Sequence, residues 1–171
     1  MRRPLLCLAV AAWLGPAPTP PAGAQPVELE ADQLDMSGET AEASGNVRVI
    51  QGERTLQAER LRYDRGRGLL DLFGNVRIEE PGFSATAPEA HYDLQSETGT
   101  IPQPRIHLLE ADAWLTAERM ERTGPDHYRL RSAQYTACYP EDPAWAVRSS
   151  TINVNQASHG AHHWNTRLNL G

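Results

Sequence analysis

One short phrase recurs four times along this chain at a nearly constant interval. It reads Leu29-Glu30-Ala31-Asp32-Gln33-Leu34, Leu56-Gln57-Ala58-Glu59-Arg60-Leu61, Ala85-Thr86-Ala87-Pro88-Glu89-Ala90 and Leu115-Thr116-Ala117-Glu118-Arg119-Met120. The copies begin 27, 29 and 30 residues apart. A second phrase, Gly-Asn-Val-Arg-Val/Ile, falls between them at Gly45–Val49 and Gly74–Ile78, again 29 apart. Self-similarity at a period of about 20–50 residues means stacked supersecondary units, each burying its apolar face against its neighbours.

The residues inside the period decide what those units are. Val47-Arg48-Val49, Leu56-Gln57-Ala58, Leu70-Asp71-Leu72, Val76-Arg77-Ile78 and Ile106-His107-Leu108 alternate apolar and polar. That is the period-two pattern of a strand with one buried face. Ser44-Gly45-Asn46, Gln51-Gly52, Asp64-Arg65-Gly66, Glu80-Pro81-Gly82 and Thr123-Gly124-Pro125-Asp126 punctuate it with turn chemistry. Short strands of about five or six residues at this spacing suggest a sandwich, barrel or solenoid of antiparallel strands. Each recurring phrase also contains a phase slip. Leu56 and Ala58 share a face, yet the next apolar residue is Leu61, followed by Tyr63. An extra residue at the same place in each unit is the mark of a β-bulge or corner. With no 3.6-residue apolar stripe, an all-β fold with very little helix is expected.

The first residues set the compartment. Met1-Arg2-Arg3 is basic, Pro4–Leu14 is an apolar run of 11, and Ala22-Gly23-Ala24 is a small-x-small cleavage pattern. This reads as a secretory signal peptide over residues 1–24, too short in its apolar part to span a bilayer. Cys7 leaves with it. The remaining 147 residues suffice for one domain with a core. They carry 14 Arg, no Lys and 22 acidic residues, and an acidic chain without a basic run argues against a nucleic-acid partner.

Candidates for catalysis and metal binding have bland alternatives. His159, His162 and His163 have ligand-like spacing but no helix to align the rings and no neighbouring Cys or carboxylate, which reads as a solvated loop. Glu79-Glu80 and Glu141-Asp142 are adjacent in sequence, so on a strand they point to opposite faces and do not form an acid/base pair. Ser149 and Ser150 lack nucleophile-elbow glycines, and Trp114 and Trp145 read as packing residues. Neither an enzyme nor a cofactor or metal site is expected.

The alternation is more informative. Val47, Val49, Leu56, Leu61, Val76, Ile78, Leu94, Ile106, Leu108, Leu115 and Met120 fall on the inward phase and, with small residues such as Ala58, Ala85 and Ala117, can line an apolar interior. Two outcomes stay open: a core filled by its own side chains, or a groove between two sheets able to hold an extended apolar ligand such as an acyl chain. Free sheet edges at either end could accept like units by strand addition.

These phrases, in their 29-residue alternation, resemble the OstA-like domain of the lipopolysaccharide transport proteins. The resemblance implies a β-jellyroll of stacked antiparallel strands whose apolar interior takes the acyl chains of lipopolysaccharide. Beyond the fourth copy, Tyr135-Thr136-Ala137-Cys138-Tyr139-Pro140 and Trp145-Ala146-Val147, then Gly160–Leu168, are similar to the stretch in which the outer-membrane LPS-assembly proteins pass from jellyroll to β-barrel. The implied organisation is a jellyroll over residues 25–134 and a junction over residues 135–171, leading toward a barrel absent from this chain. The implied partners are lipopolysaccharide, an LptA-type periplasmic bridge protein joined by edge-strand addition, and the outer-membrane lipoprotein partner of the barrel. The implied location is the periplasmic face of a Gram-negative outer membrane. A soluble LptA-type bridge is the alternative, and the segment Tyr135–Leu170 distinguishes the two. Cys138, the cysteine left after signal removal, sits where a strand run meets a turn. By its residues it is either a disulfide half or a buried free thiol. The resemblance implies a disulfide with a partner outside this chain.

Overall fold

The computed structural model describes residues 27–170 apart from 156 and 159, so the expected signal peptide and His159 lie outside the described residues. The elements are β1 (Val27–Glu30), β2 (Gln33–Ser37), β3 (Thr40–Gln51), β4 (Arg54–Asp64), β5 (Leu69–Glu80), β6 (Phe83–Asp93), β7 (Thr98–Pro102), β8 (Arg105–Leu108), β9 (Ala113–Thr116), β10 (Arg119–Gly124), β11 (His127–Thr136), β12 (Trp145–Asn155), β13 (Gly160–Trp164) and β14 (Arg167–Leu170). All these strands pair antiparallel in one connected sheet, giving the expected all-β fold.

Six strands are long; β4 and β5 keep the same neighbours throughout, whereas β3, β6, β11 and β12 meet different partners at their two ends. β3 pairs with β2 through Thr40–Ser44 and with β1 through Arg48–Gln51. β6 takes β8 at one end and β7 at the other; β11 takes β10 and β9; β12 takes β13 and β14. The long strands therefore cross between two layers. The first layer holds β1, β8, β9 and β14 with one half of each long strand, and the second holds β2, β7, β10 and β13 with the other half. Strands β3 to β6 run 11 or 12 residues, about twice the length expected from the alternation, because the phase slip bends a strand without ending it.

The two repeat phrases build that bend. Between Ser44 and Val47 the pairing of β3 with β4 shifts, so Gly45 and Asn46 oppose Glu59 alone. Between Phe73 and Val76 the same shift sets Gly74 and Asn75 opposite Pro88. This two-against-one count is a β-bulge, and its extra residue lies in the Gly-Asn phrase, with the slip of the Leu-x-Ala phrase as its counterpart on the facing strand. Gly45, Asn46, Gly74 and Asn75 all take positive φ, at 75°, 48°, 76° and 46°, which Gly and Asn adopt most readily. The acid of each of the first two copies holds the corner: Asn46 Nδ2 donates to Asp32 Oδ2 at 2.8 Å, and Asn75 Nδ2 donates to Glu59 Oε1. A Cβ on Gly74 would collide with that same Glu59 carboxylate. Pro88 has no N–H to contribute to a ladder, and the bulge is where a strand tolerates it.

Inward residues stack across each layer. In the first, Leu29, Val49, Leu56, Ile78, Ala85, Ile106, Leu115, Tyr135, Val147 and Leu168 are successive cross-strand partners. In the second, Leu34, Ala43, Leu61, Leu72 and Ala90 form one run, and Ile101, Met120, Leu130, Ile152 and His163 another. Val47, Leu72, Val76, Ala90, Ile101 and Leu130 are buried in the shared core. The boundary expected at residue 134/135 falls within β11, and β12 continues the sheet with Ile152 in the same core.

Candidate functional site

The layers leave space between them. One cavity of about 450 Å³ is walled by Val49, Leu56, Ile78 and Phe83 from the first layer and Leu70, Tyr92, Met120 and Tyr128 from the second. A second, of about 380 Å³, lies further along the strand order, between Ile106, Leu108, Leu115 and Tyr135 of the first layer and Leu130, Ile152, Val154, Ala161 and His163 of the second. Phe83, Met120 and Tyr128 line both. The two cavities are thus neighbouring stretches of one apolar groove between the sheets.

The two stretches differ at their margins. The first carries Arg54, Glu80, Asp93, Leu94, Glu97 and Arg122, which lie at strand ends and on the β6–β7 turn. Arg54 Nε pairs with Glu80 Oε1 at 2.8 Å, and Arg122 NH2 with Glu97 Oε2 at 3.3 Å. Burial, with the Glu80 charge nearby, pushes the Tyr92 phenol well above its usual range; the same two causes raise Tyr128. Both phenols stay neutral donors at physiological pH. The second stretch has little polar lining beyond Tyr128, Tyr135 and His163.

Among the inward residues expected from the alternation, Val49, Leu56, Ile78, Leu94 and Met120 line the first stretch, and Ile106, Leu108, Leu115 and Met120 the second. Val47, Leu61 and Val76 instead pack in the core near the corner, at 1%, 4% and 0% exposure, and line neither stretch. Leu94 sits on the β6–β7 turn and is 52% exposed, a rim residue. Phe83, Tyr92, Tyr128, Leu130, Tyr135, Ile152 and Val154 were not legible as lining. Leu130 and Ile152 do alternate correctly, but they lie outside the repeated phrases, and Ile152 lies in the segment read as a junction.

The remaining candidates are scattered. His162 and His163 are neighbours on β13, so their side chains take opposite faces. Ser149 Oγ lies 3.1 Å from Thr166 Oγ1 and 3.3 Å from His163 Nδ1, a polar link between β12 and the following strands. Cys138 is half-buried in the segment between β11 and β12, and its N–H donates to Thr136 Oγ1 at 3.0 Å. That segment is docked on the first layer: Trp114 stacks on His107 with ring centres 4.5 Å apart, Tyr139 meets Trp114 edge-on at 5.9 Å, and Arg105 pairs with Glu141.

Comparison with known proteins agrees with this geometry. Residues 27–97 match the family described as LptA/(LptD N-terminal domain) LPS transport protein. The LPS-assembly protein LptD of Vibrio cholerae is 30% identical over 156 residues, 91% of this chain and 20% of that protein. The LptD of Acinetobacter baylyi is 30% identical over 129 residues, 75% of this chain and 16% of the relative. The chain thus spans about a fifth of the length of the curated relatives it matches. Among solved structures, LptH, the LptA-homologous periplasmic component of the lipopolysaccharide transport device of Pseudomonas aeruginosa, superposes with a TM-score of 0.50 and 16% identity. That match covers 58% of this chain and 76% of LptH, and it carries the fold.

Proposed function

We propose that this chain, whose residues 27–97 belong to the domain family shared by LptA and the LptD N-terminus, binds lipopolysaccharide by its acyl chains in the groove between the two layers and passes it toward the outer membrane. The observation that carries the reading is the continuity of the apolar groove from β3–β6 to β11–β13. Each acyl CH₂ buried there contributes about 0.8 kcal/mol, so a long chain is held without a covalent or charged anchor. The uncovered edge strands suit partners at either end. Every described side chain of β2 is exposed, with Leu34 and Met36 at 56% and 58%, and an LptA-type bridge would extend the sheet there by strand addition.

The same reading makes residues 1–24 an export signal and β1–β14 one jellyroll body, whose last strands β12–β14 also lead toward a membrane barrel and its lipoprotein partner. Cys138 would then form a disulfide with a cysteine outside this chain. Native mass spectrometry of the chain purified from a lipopolysaccharide-producing host tests the reading. Bound lipopolysaccharide is expected, and Leu115→Arg should abolish it while the far-UV spectrum is kept. Retention of ligand by a folded Leu115→Arg protein would contradict it.

A further inference from the structure

The first stretch of the groove is not uniformly apolar, and its charged groups have a feature that folding alone does not explain. Arg122 lines the cavity with its side chain 22% exposed and its NH2 on Glu97; its Nε is buried and has no hydrogen-bond partner among the described residues. A buried donor on a charged group without an acceptor is costly, and a water, an ion or a ligand group is what such a donor lacks. Arg54, on the opposite layer, lines the same cavity and is held by Glu80, whose side chain is only 14% exposed. Both arginines act electrostatically on Tyr92 and on Tyr128. Two guanidinium groups from two layers and two neutral phenols therefore converge on one margin of the groove.

The carboxylates define what can bind there. Glu80, Glu97 and Asp93 share the margin with Arg54 and Arg122, so the cluster is not net positive, and a free anion gains little from it. An anion tethered to acyl chains already seated in the groove needs only donors of the right geometry. A guanidinium presents five donors and binds phosphate bidentately while keeping a second partner. Resting on the function proposed above, we infer that Arg122, with Arg54, Tyr92 and Tyr128, forms a headgroup site for a phosphate monoester of a phosphorylated glycolipid whose acyl chains occupy the groove.

The test is binding of diphosphorylated lipid A and of its dephosphorylated counterpart to the whole chain in detergent, with inorganic phosphate as competitor. The phosphorylated lipid should bind about tenfold more tightly, the weight of one charge-assisted bidentate contact. Arg122→Met should erase that preference, so that the two lipids bind the variant alike; loss of folding would abolish binding of both instead. Arg122→Lys, which lacks the fork, should not restore it. Glu97→Gln releases Arg122 from its partner and should increase the preference, which decides the matter independently if Arg122→Met does not fold. Equal affinity of the wild-type chain for the two lipids would overturn the headgroup site while leaving acyl binding intact. Binding of neither lipid would remove the function on which it rests. Millimolar inorganic phosphate abolishing the preference would identify a site for the free anion instead, and overturn the inference as stated.

Discussion

The half of the sheet built by β3–β6 and the half built by β11–β14 solve the same geometric problem with different residues. In the first, the bends of β3 and β5 are Gly-Asn pairs at positive φ, locked by Asp32 from the β1–β2 connection and by Glu59 of β4. In the second, Ser132 takes positive φ in β11, at 51°, and its hydroxyl donates to Glu118 Oε2 at 2.9 Å. The acid of the repeat phrase is kept while the Gly-Asn pair is gone. The bend therefore depends on the acid and a short donor opposite it, and glycine is demanded only where the approach is closest. The groove differs in parallel, with charged margins beside β4, β5 and β10 and an apolar interior beside β8, β9 and β12.

The largest effect tests whether the two halves share one core. Leu72→Ala and Ile152→Ala should each cost about 2–5 kcal/mol in urea denaturation, the usual range for a buried aliphatic side chain reduced to alanine. Both residues are buried in the common cluster, at 0% and 3% exposure. A near-neutral Ile152→Ala would make β12 an appendage and break the comparison.

The next effect sharpens it. Gly74→Ala places a Cβ at φ +76° against Glu59 and should cost about 1–3 kcal/mol. Ser132→Ala keeps a Cβ that the bend already accommodates and loses one exposed hydroxyl bond, about 0.5–1.5 kcal/mol. Equal losses would mean that the two bends are not built differently.

This asymmetry also explains what the sequence revealed. The bends show in the sequence as the phase slip of the Leu-x-Ala phrase, whereas Gly45-Asn46 and Gly74-Asn75 read as turn residues and in fact lie inside β3 and β5 as the bulges themselves. Ser132 belongs to no repeated phrase and looks like any solvent-facing serine in a strand. The all-β fold and most inward residues followed from the period-two alternation. The partition of those residues did not: Val47 and Val76 lie close to the bends, where the layers meet and no space remains, whereas Leu56 and Leu115 lie where the layers have separated. Alternation assigns a face, but distance from the corner decides between core and groove. Tyr92 and Tyr128 carry no such signal, because a half-polar aromatic side chain reads equally well as rim or interior.

The smallest effect belongs to the outer surface of the first half. His91 Nδ1 lies 2.8 Å from Asp71 Oδ1 and Nε2 lies 3.5 Å from Glu89 Oε1. Burial works to lower its pKa, but hydrogen bonds and charge from Asp71 and Glu89 outweigh it, and the net shift is upward from 6.5. A raised folded-state pKa means stabilisation present in full below pH 6.5 and lost as the pH rises through the folded value. The melting-temperature difference between the wild-type chain and His91→Asn should therefore be largest near pH 5.5 and shrink above neutrality. A difference that grew with pH would contradict the sign.

The central claim is that acyl chains travel in the space between the layers and not over the outer faces. A photo-crosslinking residue at Leu56, at Leu115 or at Arg77, introduced in cells making lipopolysaccharide, tests it most directly. Leu56 and Leu115 line the two stretches of the groove, and Arg77 is exposed one residue before Ile78 on the opposite face of β5. Capture of lipopolysaccharide at both Leu56 and Leu115, with none at Arg77, is the predicted result. Equal capture at Arg77, or capture at neither groove position, would contradict the account.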